Sequence, residues 1–193
     1  PVSKIPYFTD GSLKAGQDAA SGFIGADVRD LCKERGILIE KRKGGKSAFG
    51  VTLRGMSEMG PNGFRIELYE ESLASMAETC GFEYAQAEDA HLAHEFFHYL
   101  EYSSVPVPQM LGKVQTFKLL GLKREACINR ASEVGAHSFA KALLGLQVLP
   151  NFFDYQYLIG SGKMTQEAFD GKIREMEKLL QEGDAEAKSE AKI

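Results

Sequence analysis

Three of the four histidines lie within the stretch HLAHEFFHYLE, which runs from His91 to Glu101. His94 and His98 are four residues apart, and this spacing places two imidazoles on the same face of a helix. Glu95 directly follows the first of these two and completes the pattern H-E-x-x-H. Two neutral imidazoles so spaced can bind one zinc ion, and the adjacent carboxylate can act as a general base toward a water on that metal. The pattern therefore predicts metal ligands at His94 and His98 and a catalytic carboxylate at Glu95.

A catalytic zinc site needs a third protein ligand, and Glu133 on a later predicted helix is the candidate. A carboxylate beside an apolar helical stripe is costly unless it is paired or bound to metal, and an ion pair with Arg130 or Lys141 is the alternative. His137, one turn further on, can serve as a hydrogen-bond partner of a ligand or replace Glu133 as the third ligand. The stripe consists of Ala136, Phe139, Ala140, Leu143 and Leu144. His91 is expected at the surface, one turn before His94.

Composition limits the class of protein and its surroundings. The chain has 193 residues, enough for one domain with a buried core, and its formal net charge of −4 gives no overall attraction to nucleic acid. Neither a signal-peptide pattern nor an apolar stretch of membrane-spanning length is present in the sequence. Three cysteines without a C-x-x-C pair argue against a cysteine zinc site and fit a reducing compartment. We therefore expect a cytoplasmic protein without membrane or direct nucleic-acid partners, and leave its oligomeric state open.

Hydrophobic periodicity predicts an α+β chain with a small antiparallel sheet of about three strands, followed by a mainly helical portion. The sheet is expected from a hairpin around Gly44 and Gly45 and from the strand FRIELY at 64–69, which follows a turn at 60–63. After a loose start, helices are expected over 18–35, 72–80, 87–102 and 122–146. Residues 103–113 are expected to be a loop because they contain two prolines. A last helix should begin after Thr165, whose hydroxyl can cap it.

The motifs resemble those of a known class of peptidase. H-E-x-x-H followed on a later helix by a glutamate is similar to the gluzincin pattern. The string that begins at Glu133 and continues through Ala136, His137, Phe139 and Ala140 resembles the signature E-x-E-A-D-x-F-A-x-x-L-L of ImmA/IrrE-type metallopeptidases. The resemblance covers roughly residues 35–150. Two positions depart from the family: His137 stands where Asp is usual, and Phe96-Phe97 stands where Leu-Gly is common.

The resemblance implies a zincin-like fold for the helical portion and a single metallopeptidase-like domain over residues 1–181. It implies zinc bound by His94, His98 and Glu133, with Glu95 as the catalytic base. Its implied substrates are proteins or peptides, with DNA-binding repressors as the known sort. The polar segment 182–193 lacks large apolar side chains, and we expect it to be a disordered tail.

Three questions stay open at the level of sequence. The donor that stabilises an oxyanion in such a site could be Tyr155, Tyr157 or His137. A peptide substrate could add to the edge of a sheet, and FRIELY is either that edge or an interior strand. A protein of another class, a non-catalytic metal-binding regulator or interaction module, could also keep the H-E-x-x-H site.

Overall fold

The computed structural model describes residues 2–44, 46–48, 51–119 and 122–190. Its α-helices are α1 (Ile5–Ala20), α2 (Val28–Glu34), α3 (Glu70–Cys80), α4 (Tyr84–Tyr102), α5 (Val107–Met110), α6 (Arg130–Leu144), α7 (Asn151–Gly160) and α8 (Gln166–Glu190). Its strands are β1 (Leu38–Arg42), β2 (Lys46–Ala48), β3 (Val51–Leu53), β4 (Gly55–Gly60), β5 (Gly63–Tyr69), β6 (Lys113–Leu119) and β7 (Leu122–Cys127). The predicted α+β class is confirmed.

The main sheet has the strand order β1-β5-β4. The turn predicted at 60–63 joins β4 to β5, and Gly63 adopts the positive φ of +107° that this turn requires. β1 pairs with β5 in parallel, so the sheet is mixed and the prediction of an antiparallel sheet is corrected. The cause is burial: β5 is covered on both faces and is stabilised as a central strand by a partner on each side.

The hairpin predicted around Gly44 and Gly45 is not the pairing found. β1 pairs with β5, whereas β2 pairs with β3 as a separate two-stranded ribbon. Gly45 lies outside the described residues. The turn signal between two β-prone runs therefore predicted strands correctly and their pairing incorrectly, because strand propensity does not specify which strand will be the partner.

The N-terminal helices differ from the prediction. The first dozen residues, expected to be a loose start, contain the first half of α1. The helix expected over 18–35 is instead α2, which begins where Asp27 accepts a hydrogen bond from the Arg29 backbone N–H at 2.7 Å. α1 buries the small residues Ser12, Gly16 and Ala20 against α6. A stripe of small residues carries little hydrophobic signal, so periodicity does not detect it.

Residues 103–127 also depart from the prediction. The expected loop contains the short helix α5, with Pro108 in its first turn, where proline is tolerated. The expected helix over 122–146 begins only at Arg130, because β6 and β7 form an antiparallel hairpin before it. In the sequence, this hairpin lies between the helix that carries His98 and the helix that carries Glu133. It therefore accounts for the many residues that separate the two motifs along the chain.

The last helix begins as predicted, with the Ala168 backbone N–H donating to the Thr165 hydroxyl at 3.1 Å. α8 continues to Glu190, so the described part of the segment expected to be a disordered tail is helical. Gly183 is buried against the backbone of Val2, where a side chain would clash, and this contact orders a segment that has no large apolar residue of its own. The division of the chain after residue 181 stays a prediction.

α4 and α6 lie side by side in the core and carry the two motifs. The buried side of α4 contributes Leu92, Ala93, Phe96 and Phe97, and that of α6 contributes Ala136, Phe139, Ala140 and Leu143. Burial of these faces fixes the rotation of each helix, so the motif residues of both point to the same cleft. Among the described helices, none has the length and apolar character needed to cross a membrane.

Candidate metal centre

α4 places His94 and His98 side by side at the cleft. The helix begins with a capping box in which Glu83 and Gln86 each accept a backbone hydrogen bond from the other residue. One turn of helix separates the two histidines, and their Nε2 atoms lie 3.2 Å apart. Both side chains are mostly covered but line the cleft. This arrangement is the one that the spacing predicted.

Glu133, in the first turn of α6, brings one carboxylate oxygen close to each of the two imidazoles. Its Oε2 lies 3.3 Å from His94 Nε2, and its Oε1 lies 3.6 Å from His98 Nε2. Tetrahedral ligands bound about 2.05 Å from zinc are themselves separated by about 3.3 Å. A hydrogen bond with His94 and the nearby imidazoles lower the pKa of Glu133 to about 2, so its carboxylate is ionised at neutral pH. The chemistry and the spacing of these donors therefore fit a zinc ion.

His137 offers a second possible triad that shares His94 and Glu133. One ligand atom from each of these three residues lies within 4.8 Å of the other two, and the His94 and His137 rings are 4.5 Å apart. Burial lowers the pKa of His137 to about 3, and its Nδ1 is buried without a hydrogen-bond partner among the described residues. Both His98 and His137 therefore lie within reach of His94 and Glu133, and either imidazole can be the third ligand.

The other side of the His98 ring is held by residues that the sequence did not indicate. Nδ1 lies 3.2 Å from both Glu101 Oε2 and Ser132 Oγ, and Ser132 donates to the same carboxylate. The Val107 backbone N–H donates to the other oxygen of Glu101 at 2.8 Å. Burial acts to raise the pKa of Glu101, but its bonds with His98, Ser132 and Val107 outweigh burial and lower it. Glu101 is only 8% exposed and faces His98 as a carboxylate.

Glu95 faces β4 at the edge of the same cleft. Ser57 donates a hydrogen bond to Glu95 Oε2 at 2.6 Å. Gly55, also on β4, leaves space beside this carboxylate, since an added Cβ would lie 3.5 Å from its Oε1. The carboxylate is therefore positioned by a strand about forty residues earlier in the chain, and no local pattern could have revealed this contact.

His91 and the residues considered as oxyanion donors have different surroundings in the structure. His91, expected at the surface, is half-buried: its Nδ1 hydrogen-bonds the Ala87 carbonyl at 2.8 Å, and burial lowers its pKa to about 4. Tyr155 packs against Phe169 at 5.0 Å. The Tyr157 ring lies beneath Arg54 and Lys163. Of the three residues considered as oxyanion donors, His137 is the one in ring contact with a candidate ligand.

A cleft of about 660 Å³ connects the candidate metal ligands and Glu95 to the surface. One end is polar and is lined by His94, Glu95, His98, Ser132 and Glu133. The other lining residues of the cleft include Met56, Pro106, Pro108 and the three neighbouring side chains Met59, Phe64 and Tyr102, which define an apolar end. The candidate ligands and Glu95 are therefore reachable by a molecule that enters from outside.

Comparison of the chain with models of known protein families, with curated proteins and with solved structures gives no match in any of the three.

Proposed function

We propose that this protein is a zinc-dependent peptidase in which His94, His98 and Glu133 hold the metal and Glu95 is the general base. The observation that carries the proposal is that the two imidazole Nε2 atoms lie 3.2 Å apart and each lies 3.3–3.6 Å from an oxygen of Glu133, at the wall of an open cleft. The resemblance of the motif residues to gluzincins, and to ImmA/IrrE-type metallopeptidases in particular, supports the same assignment. A cytoplasmic location and repressor-like protein substrates belong to this proposal.

A zinc ion bound there would activate a water and polarise the scissile carbonyl. Glu95 accepts the proton of the attacking water and delivers it to the leaving nitrogen. Ser57 holds the Glu95 carboxylate toward the cleft through its hydrogen bond. Glu101 accepts a hydrogen bond from the Nδ1–H of His98, which leaves Nε2 of that ring free as a ligand.

The substrate would bind as an extended strand at the edge of the sheet. FRIELY forms most of β5, which is the central strand, so the hypothesis that it is the edge is wrong. β1 and β4 are the two outer strands, and the residues of β4 from Gly55 to Met59 line the cleft. A peptide added there would run past Glu95 and the candidate ligands.

A second candidate function is a non-catalytic metal-binding regulator. The observation that favours it is the position of His137, which brings a further imidazole within reach of His94 and Glu133. A fourth protein ligand would close the position that a catalytic metal leaves open for water.

The test combines metal content with hydrolysis. Wild type, Glu95→Gln and His98→Ala are purified without chelator, their zinc is quantified, and each is incubated with a randomised peptide library. We expect about one zinc per chain in wild type and Glu95→Gln, hydrolysis by wild type alone, and loss of zinc in His98→Ala. Full hydrolysis by Glu95→Gln would refute the mechanism. Bound zinc without hydrolysis by wild type would favour the regulator.

A further inference from the structure

The apolar end of the cleft has unusually exposed large side chains. Met59 is 43% exposed and Tyr102 is 63% exposed, although both adjoin the buried Phe64. Met59 is the register partner of Phe64, and the Phe64 and Tyr102 rings are 6.4 Å apart. Pro106 and Pro108 line the same cleft. Apolar surface that is grouped in a concave site marks a binding position for an apolar group.

The charged side chain next to these apolar residues is paired, so it does not oppose the binding of an apolar group. Glu58, which precedes Met59 on β4, also lines the cleft, and its carboxylate pairs with Arg65 Nη2 at 2.5 Å. Both lie on neighbouring strands of the main sheet, where Glu58 and Arg65 are register partners. The acidic and imidazole groups that can bind metal lie at the other end of the cleft.

The distance between the two ends can be expressed in residues of a bound peptide. Tyr102 follows His98 by one helical turn, which is a rise of about 6 Å. An extended chain advances about 3.3 Å per residue. A side chain in the apolar end therefore belongs to a residue about two positions from the bond that lies at the metal site.

The direction of β4 determines on which side of that bond the residue lies. β4 runs from Gly55, beside Glu95, toward Met59, beside Phe64. A peptide paired antiparallel to β4, the commoner kind of pairing, runs from the apolar end toward Glu95. Its apolar residue then precedes the bond at the metal site.

We propose that the end of the cleft formed by Met59, Phe64, Tyr102, Pro106 and Pro108 is a specificity subsite. It binds a large apolar side chain about two residues before the cleaved bond of a peptide that lies antiparallel along β4. The position relative to the cleaved bond rests on the proposed peptidase function, whereas the preference for a large apolar side chain does not.

The first experiment measures binding without turnover. Zinc-loaded Glu95→Gln is immobilised, exposed to a randomised ten-residue synthetic peptide library, and the bound pool is sequenced. We expect enrichment of Leu, Met and Phe, and a loss of that enrichment by about tenfold when Met59→Lys or Tyr102→Ala is added. Met176→Lys, at a residue of α8 that is 50% exposed, is the matched control and should leave the enrichment unchanged. Both test positions are exposed, so the variants should fold.

The second experiment locates the cut. Wild type is incubated with the same library, and the new ends are sequenced. Enrichment of large apolar residues about two positions before the cut supports the subsite, and enrichment after the cut overturns the antiparallel direction. A bound pool without apolar enrichment, or one that Met59→Lys and Tyr102→Ala leave unchanged, overturns the subsite itself. Absence of any cut would refute the proposed peptidase activity and the position assigned relative to the cleaved bond. The peptides bound in the first experiment would still show whether large apolar side chains are preferred.

Discussion

The Glu101 carboxylate lies 3.2 Å from His98 Nδ1, while Nε2 of the same ring faces His94 and Glu133. This relationship selects the tautomer of His98, because the proton on Nδ1 is held by the carboxylate and the lone pair on Nε2 is directed into the candidate metal site. Ser132 and the Val107 backbone hold Glu101 in turn. The spacing in the sequence identified His98 as a candidate ligand, but it did not identify Glu101 and Ser132, which orient it.

We predict that Glu101→Gln weakens zinc binding about tenfold, because loss of the charge lowers the basicity of His98 and loosens its orientation. Zinc affinity is measured by competition with a fluorescent chelator at neutral pH. Glu177→Gln, at an exposed position of α8, is the control and should bind as wild type does. Equal affinities for all three proteins would contradict a role for Glu101 at the metal site.

We predict that His98→Ala and His137→Ala differ in their effect on zinc. Loss of a ligand should reduce zinc affinity by several orders of magnitude in His98→Ala. Loss of a neighbouring imidazole in His137→Ala should reduce zinc affinity by only about tenfold to a hundredfold. The same chelator competition measures both variants. The opposite order of affinities would identify His137 as the third ligand and His98 as its neighbour.

We predict that Gly16→Ala destabilises the protein by about 1–3 kcal/mol or more. α1 and α6 approach so closely that an added Cβ would lie 2.2 Å from the Gly135 carbonyl oxygen and 2.8 Å from the Phe139 backbone nitrogen. Urea unfolding followed by circular dichroism gives the difference. Gly22→Ala is the control, since its Cβ would meet nothing within 4 Å. Equal stability of the two variants would argue against this helix contact.

We predict that Glu88 makes stability depend on pH in the acid range. Its carboxylate is 2% exposed and accepts hydrogen bonds at 2.8 Å from both Arg29 and Lys41. Burial acts to raise the pKa of Glu88, but the bonds from Lys41 and Arg29 outweigh burial and lower it from 4.5. A lowered folded-state pKa gives stability that is present above pH 4.5 and is lost as the pH falls below that value.

The measurement compares wild type with Glu88→Gln in urea at pH 7 and at lower pH, with chelator present so that metal loss does not contribute. We expect the variant to be about 1–3 kcal/mol less stable at pH 7, and the difference to shrink below pH 4.5. Glu175→Gln, on the exposed side of α8, should match wild type at each pH. A difference that is constant with pH would show that the Glu88 charge does not contribute.

The elements that local patterns predicted well share a feature. α3, α4 and the start of α8 are defined by stop and cap residues next to a helical period, and the strand at 64–69 is preceded by a glycine turn. α1 and the β6–β7 hairpin were missed. α1 buries small residues, and its packing depends on Gly16, which lies against the backbone of α6. The hairpin occupies a segment whose composition also suits a helix.

The sequence by itself determined that His94 and His98 share one face of a helix with Glu95 beside them, because the helical period alone sets contacts between residues four apart. It also identified Glu133, in the second motif, as the candidate third metal ligand. Only the tertiary structure decided that Glu133 reaches both imidazoles, that Glu101 and Ser132 hold His98, and that Ser57 on an edge strand holds Glu95. These contacts join distant elements, and their geometry follows from how α4, α6 and the sheet pack together, which no short pattern encodes.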